Sequence, residues 1–153
     1  MASKVKEGDS APDFAGPTYD GSTLGLKDFV GKKNIVLYFY PKDDTPGCTK
    51  EACSFRDNLD SVRRMGAEII GVSLDSVESH KKFAAKYNLA FPLISDKAKR
   101  IAQAYGVLKD NGTSASRVTF IIDKAGKVAK IFPKVDVTKH IEEVVAALKE
   151  LPS

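Results

Sequence analysis

Apolar positions along the chain fall into short runs and stripes separated by turn residues. Asn34-Ile35-Val36-Leu37-Tyr38-Phe39-Tyr40 is a continuous apolar, β-branched and aromatic run ended by Pro41, the pattern of a central strand covered on both faces. Thr45-Pro46-Gly47 then opens a segment free of Pro and Gly until Gly66. Thr45 suits an N-cap and Pro46 the first helical position, so Cys48 falls in the first turn of a helix. Residues 67–74 read as a second strand. Asp75 with Glu78 forms a capping pair for a helix running to about Tyr87, with Val77, Phe83, Ala84 and Tyr87 hidden. Residues 91–94 read as a short strand, 96–105 as a helix, and Val118–Ile122 with Val128–Phe132 as a hairpin. Ile141, Val144, Val145 and Leu148 recur at i, i+3, i+4 and i+7 behind Thr138, which predicts a closing amphipathic helix.

The first 33 residues, with Gly8, Pro12, Asp13, Gly16, Pro17, Asp20 and Gly21, read as a loop-and-hairpin lead-in rather than a separate domain. The order β-α-β-α-(β)-α-β-β-α places helices on a mixed sheet, and 153 residues suffice for one domain, 1–153, with a real core. We find neither an internal repeat nor a low-complexity tract. Hydrophobic residues make up 42% and charged ones 29%, and no apolar stretch approaches the ~20 residues a membrane span needs. The opening Met-Ala-Ser-Lys-Val-Lys-Glu-Gly-Asp has no apolar leader region, so a cytoplasmic location is expected. The net charge of +4 comes from scattered basic pairs interleaved with Asp and Glu, the pattern of a solvated surface rather than a nucleic-acid footprint.

Two cysteines cannot form a disulfide scaffold, so their chemistry carries more weight than any staple. A nucleophilic cysteine acts as thiolate and needs positive potential nearby. At the third position of a helix, Cys48 meets unpaired N–H groups and the positive end of the macrodipole, worth about 0.3–1 kcal/mol. A guanidinium would add a fixed charge and donors for a peroxide oxygen. Arg117, at the start of the strand 118–122, is one source; Arg56, further along the Cys48 helix, is the rival. Asp43 and Asp44 read as solvated loop charges, and His80 and His140 as surface residues. A zinc set of two cysteines and two histidines is disfavoured by the Cys-x4-Cys spacing and the distant, helix-borne histidines.

The segment Pro41-Lys42-Asp43-Asp44-Thr45-Pro46-Gly47-Cys48-Thr49-Lys50-Glu51-Ala52-Cys53 resembles the active-site segment of peroxiredoxins, specifically the bacterioferritin-comigratory or Q-type branch. The resemblance extends to Gly8-Asp9-Ser10-Ala11-Pro12-Asp13-Phe14, Gly71-Val72-Ser73, Phe91-Pro92-Leu93-Ile94-Ser95-Asp96 and Arg117-Val118-Thr119-Phe120-Ile121-Ile122-Asp123. It implies an α/β, thioredoxin-like fold: a central mixed sheet flanked by helices, with an N-terminal hairpin extension. It implies that Cys48 is the peroxidatic cysteine, that Thr45 hydrogen-bonds peroxide and sulfur, that Pro41 shields the pocket, and that Arg117 activates thiolate and substrate. Cys53 would then attack the Cys48 sulfenic acid to give an internal disulfide, recycled by thioredoxin or a similar dithiol protein.

Residues five apart on an ideal helix have Cα atoms about 8–9 Å apart, whereas disulfides need them within about 7 Å. The first turns of this helix are therefore expected to unwind in each cycle. Hydroperoxide is the expected substrate, with no metal, haem or flavin, no nucleic acid and no membrane. Internal resolution removes the chemical need for a dimer, so a monomer or weak homodimer is expected. Two other functions share parts of this pattern. A protein disulfide oxidoreductase normally uses Cys-x-x-Cys, absent here. A redox sensor would bind a partner when the Cys48 helix unfolds.

Overall fold

The computed structural model describes residues 5–151, so the first four residues of the opening from which a cytoplasmic location is expected lie outside the described residues. In the lead-in, β1 (Ala15–Pro17) and β2 (Thr23–Gly25) pair antiparallel, and one 3-10 turn, Leu26–Asp28, follows. The chain then builds β3 (Asn34–Phe39), α1 (Pro46–Asp57), α2 (Leu59–Arg64), β4 (Ala67–Ser73), α3 (Val77–Tyr87), β5 (Leu93–Ser95), α4 (Arg100–Ala104), β6 (Val118–Ile122), β7 (Val128–Phe132) and α5 (His140–Lys149). Five strands form one sheet in the order β5-β4-β3-β6-β7. The β3-β4 and β4-β5 pairs are parallel, and the β3-β6 and β6-β7 pairs are antiparallel, so β3 is the central strand of a mixed, thioredoxin-like sheet.

The alternation of side chains along β3 divides the core. Ile35, Leu37 and Phe39 pack with Ile70, Val72, Phe120, Ile122 and the α4 residues Ile101 and Ala102. Val36, Tyr38 and Tyr40 pack on the other face with Cys48, Ala52, Phe55, Phe83, Ala84, Val144 and Leu148 from α1, α3 and α5. A strand buried along its whole length explains the unbroken apolar run in the sequence. Gly71, opposite Tyr38 in β4, is required by this packing, because a Cβ there would lie 2.7 Å from Leu93 and 2.9 Å from the Tyr38 ring.

Several local expectations are corrected. The Pro- and Gly-free segment that Thr45-Pro46-Gly47 opens holds two helices, with a break at Asn58, whose side chain donates to the Ser54 carbonyl at 2.8 Å. Ser76, not Asp75, caps α3, accepting from the Ser79 N–H at 3.1 Å. Val77 and Tyr87 are only half-buried, and His80 takes the buried place beside Phe83 and Ala84. The helix expected over 96–105 is reduced to α4: Lys99 adopts a left-handed conformation, and the Asp96 carboxylate accepts from the N–H groups of Ile101 and Ala102. In α5, His140, Val144 and Leu148 are the buried stripe, with Ile141 and Val145 half-buried beside it.

Neither histidine is at the surface. His80 is 0% exposed: Nδ1 lies 2.7 Å from Asp43 Oδ2 and Nε2 lies 3.1 Å from the Ile94 carbonyl. Both ring nitrogens are thus within hydrogen-bond distance of oxygen atoms. His140 lies between the Phe55 and Phe132 rings, with Nε2 2.8 Å from Thr119 Oγ1. Burial pushes its basicity below the ordinary histidine value.

Candidate active site

The site forms where β3 hands over to α1. Pro41 is half-buried and ends the strand, since it has no N–H to continue the ladder. The loop that follows is tied to α3. Asp43, expected to be solvated, is buried: its carboxylate accepts from the Tyr40 hydroxyl at 2.6 Å and the Ser79 hydroxyl at 2.7 Å, besides facing His80. Asp44 is exposed, as expected, and takes a left-handed φ of 57° while its carboxylate binds Lys86 and the Tyr87 hydroxyl. These links fix the direction in which the chain enters α1.

Asp43, Asp75 and His80 are the one group among the described residues with spacing suited to a metal. Asp43 and His80 hydrogen-bond each other, the Tyr40 and Ser79 hydroxyls and the Ile94 carbonyl, and Asp75 Oδ2 accepts from the Ser73 hydroxyl and the Asp43 N–H. The two cysteines belong to no such group.

Thr45 has the extended backbone of an N-cap, and its carbonyl accepts from the Thr49 N–H. Its hydroxyl makes no cap, however, and donates to the Lys42 carbonyl at 3.0 Å instead of bonding Cys48. Pro46 and Gly47 follow at the first helical positions, and Cys48 is third, 1% exposed.

Arg117 precedes β6. The pairing of Phe39 with Val118 brings Arg117 beside the end of β3, where α1 begins. Its Nη2 donates to Cys48 Sγ at 3.2 Å and its Nη1 to Glu51 Oε1 at 2.7 Å. A sulfur anion at Cys48 would therefore meet a guanidinium donor as well as the helix N-terminus. Arg56 is no rival: its Nε donates to Asp57 and its Nη1 to the Tyr87 carbonyl, which pins α1 to α3. Gly47 makes the Arg117 approach feasible, because a Cβ there would lie 3.1 Å from Nη2. Cys53 is half-buried further along the same helix, and both cysteines are free.

Two residues of the site were not anticipated. Glu51 is 2% exposed, and burial pushes its carboxyl up to about 7, although Arg117 pulls the other way. Tyr38 lies beneath α1, its ring 4.7 Å from that of Phe55, and its hydroxyl has no partner. Burial, with the nearby Glu51 and Cys48, holds the phenol well above its ordinary value. Glu51 carried a sequence signal: Cys48, Glu51, Ala52 and Phe55 share the i, i+3, i+4, i+7 stripe, so a carboxylate stands at a core position.

Residues 7–131 match the AhpC/TSA family. Over 153 residues the chain is 46% identical to Peroxiredoxin Bcp of Bacillus subtilis, covering 96% of this chain and 97% of that protein. It is 45% identical over 150 residues to the chloroplastic Peroxiredoxin Q of Populus jackii, covering 97% of this chain and 70% of that one. Among solved structures, peroxidoxin BcpB from Mycobacterium tuberculosis superposes with a TM-score of 0.90 at 34% identity, over 97% of this chain and 99% of that chain. The bacterioferritin comigratory protein of Xanthomonas campestris, studied for its alkyl peroxide reduction activity, superposes with a TM-score of 0.87 at 37% identity over 100% of both chains.

Proposed function

The chain belongs to the AhpC/TSA family and is a thiol peroxidase, a peroxiredoxin of the Bcp and Q kind; on that premise we propose that Cys48 carries the peroxidatic step and Cys53 the resolving one. One observation supports the first assignment above others: the Arg117 Nη2 donor stands 3.2 Å from a sulfur in the first turn of α1.

The Cys48 thiolate attacks the terminal oxygen of the hydroperoxide. An S–O bond forms as the O–O bond breaks, giving Cys48 sulfenic acid, and the departing alkoxide or hydroxide takes up a proton and leaves as alcohol or water. Arg117 holds both the sulfur and the developing negative charge on oxygen. Thr45 completes the pocket by turning its hydroxyl from the Lys42 carbonyl to the bound peroxide, and Pro41 screens the sulfur from bulk water. The Cys53 thiol then attacks the sulfenic sulfur, forming the disulfide and releasing water. A thioredoxin-like dithiol protein reduces the disulfide by exchange. Because the two cysteines sit five residues apart on one helix, α1 opens before the S–S bond can form.

Both hydrogen peroxide and organic hydroperoxides are substrates in this reading. The whole chain, 1–153, acts as one domain, supported by core clusters on the two faces of a single sheet. A cytoplasmic, monomeric or weakly dimeric protein without nucleic-acid or membrane partners completes the proposal. Among the described residues no helix is long and apolar enough to cross a membrane. The test is peroxide consumption with thioredoxin, thioredoxin reductase and NADPH. Turnover in the wild type, lost in Cys48→Ser and dependent on a small external thiol in Cys53→Ser, is the expected result. Undiminished turnover in Cys48→Ser would overturn the assignment.

A further inference from the structure

Arg117 is shared between two acids. Cys48 and Glu51 are one helical turn apart on the same face of α1, and the two terminal nitrogens of one guanidinium reach both. Both acids are buried, and Glu51 Oε2 has no hydrogen-bond partner among the described residues. The crevice that Glu51 lines with Ser54, Phe55, Val137, His140 and Ile141 has no space for a water molecule. The other titratable groups around it offer no second cation. Tyr38 from β3 is a neutral phenol beneath Glu51 and Cys48, and burial favours the uncharged form of His140 from α5. With both acids ionised, two negative charges would share one cation, and one buried carboxylate oxygen would be left without a hydrogen-bond partner.

We propose that Cys48 and Glu51 share a single proton beneath Arg117, so that the reactive thiolate exists with Glu51 as the neutral acid, and Glu51 is a positioning residue that leaves the guanidinium to sulfur and peroxide. The reading of Cys48 as the peroxidatic cysteine is the premise of its catalytic consequence. The upward push of the Glu51 carboxyl by burial agrees with it.

Infrared spectroscopy of the reduced protein tests the sharing without peroxide. A carboxylic-acid C=O band is expected at pH 7, absent from Glu51→Gln. In Cys48→Ser the band should titrate away at lower pH, because no thiolate competes for Arg117. No such band in the wild type, or an identical titration in Cys48→Ser, overturns the proposal. The kinetic readout is the shape of the pH profile for single-turnover peroxide reduction. With a group near 7, the protonated fraction falls roughly 15-fold between pH 7 and 8.5, so the wild-type rate should decline on that limb and the Glu51→Gln rate should not, whatever its level. A wild-type profile that keeps rising through pH 8.5, or one whose decline survives in Glu51→Gln, also overturns it. Peroxide turnover that persists in Cys48→Ser removes the assignment of Cys48, while the infrared titration still answers whether the proton is shared.

Discussion

Gly47→Ala should separate activity from stability. The added Cβ would lie 3.1 Å from Arg117 Nη2, inside the 3.4 Å at which ordinary contact begins, so the guanidinium must retreat by a few tenths of an ångström. That nitrogen is the one that donates to Cys48 Sγ at 3.2 Å. A hydrogen bond to a charged partner contributes about 1.5–3 kcal/mol. Loss of roughly half of the smaller value, about 0.75 kcal/mol, slows the peroxide step about 3.5-fold. The backbone change acts in the other direction, since Ala in a helix is favoured over Gly by up to about 0.5–1 kcal/mol. The chain has no tryptophan, so the rate is best read by rapid quenching of the reduced protein with peroxide and mass detection of the oxidised product. Urea unfolding supplies the stability. A slower and equally or more stable variant is expected. An unchanged rate would refute the claim that the Arg117 contact on sulfur matters, and a joint loss of rate and stability would refute the local account of the clash.

Glu51 also governs stability: its folded carboxyl, held near 7 against an ordinary 4.5, keeps a proton that the unfolded chain releases first. Stability should therefore fall as pH rises from about 4.5 to 7, by up to about 3 kcal/mol. Glu51→Gln should flatten that part of the urea-midpoint curve, and equal slopes in the two proteins would contradict the assignment. His80→Leu should cost about 1–3 kcal/mol in urea unfolding, because it leaves the buried Asp43 carboxylate without its hydrogen-bond partner at 2.7 Å; a cost below about 0.5 kcal/mol would show that Tyr40 and Ser79 suffice. Amide exchange across residues 46–56 should accelerate in the disulfide form, and equal protection in both redox states would remove the unwinding of α1.

β3, β4 and β6 were legible because burial on both faces writes itself as largely apolar runs; they and the edge strand β7 lie within one residue of their expected bounds. Cys48 and Arg117 were picked out as candidates from sequence, and the sheet register brings Arg117 to Cys48, whereas the Thr45 hydroxyl turns to the Lys42 carbonyl. What escaped was buried polarity. Glu51, His80 and His140 each occupy an apolar stripe, beside Cys48, Ala52 and Phe55; Phe83 and Ala84; and Val144 and Leu148. A polar residue type argues for the surface, and only its phase on the helix argues for the core. The partners that make such burial tolerable, Arg117, Asp43 and Thr119, come from distant parts of the chain, so local sequence could not supply them. The short α4 escaped for a related reason, since Asp96 caps it across a left-handed Lys99 that no periodicity announces.

The proposed cycle turns on Cys48 accepting the oxygen and Cys53 removing it. The most direct measurement is the mass and peptide map of the reduced protein after one equivalent of hydrogen peroxide, with Cys53→Ser alongside. The wild type should lose two hydrogens and show a Cys48–Cys53 linked peptide, and Cys53→Ser should gain one oxygen atom on Cys48. Oxygen on Cys53 instead, or a wild type left unmodified, would contradict it.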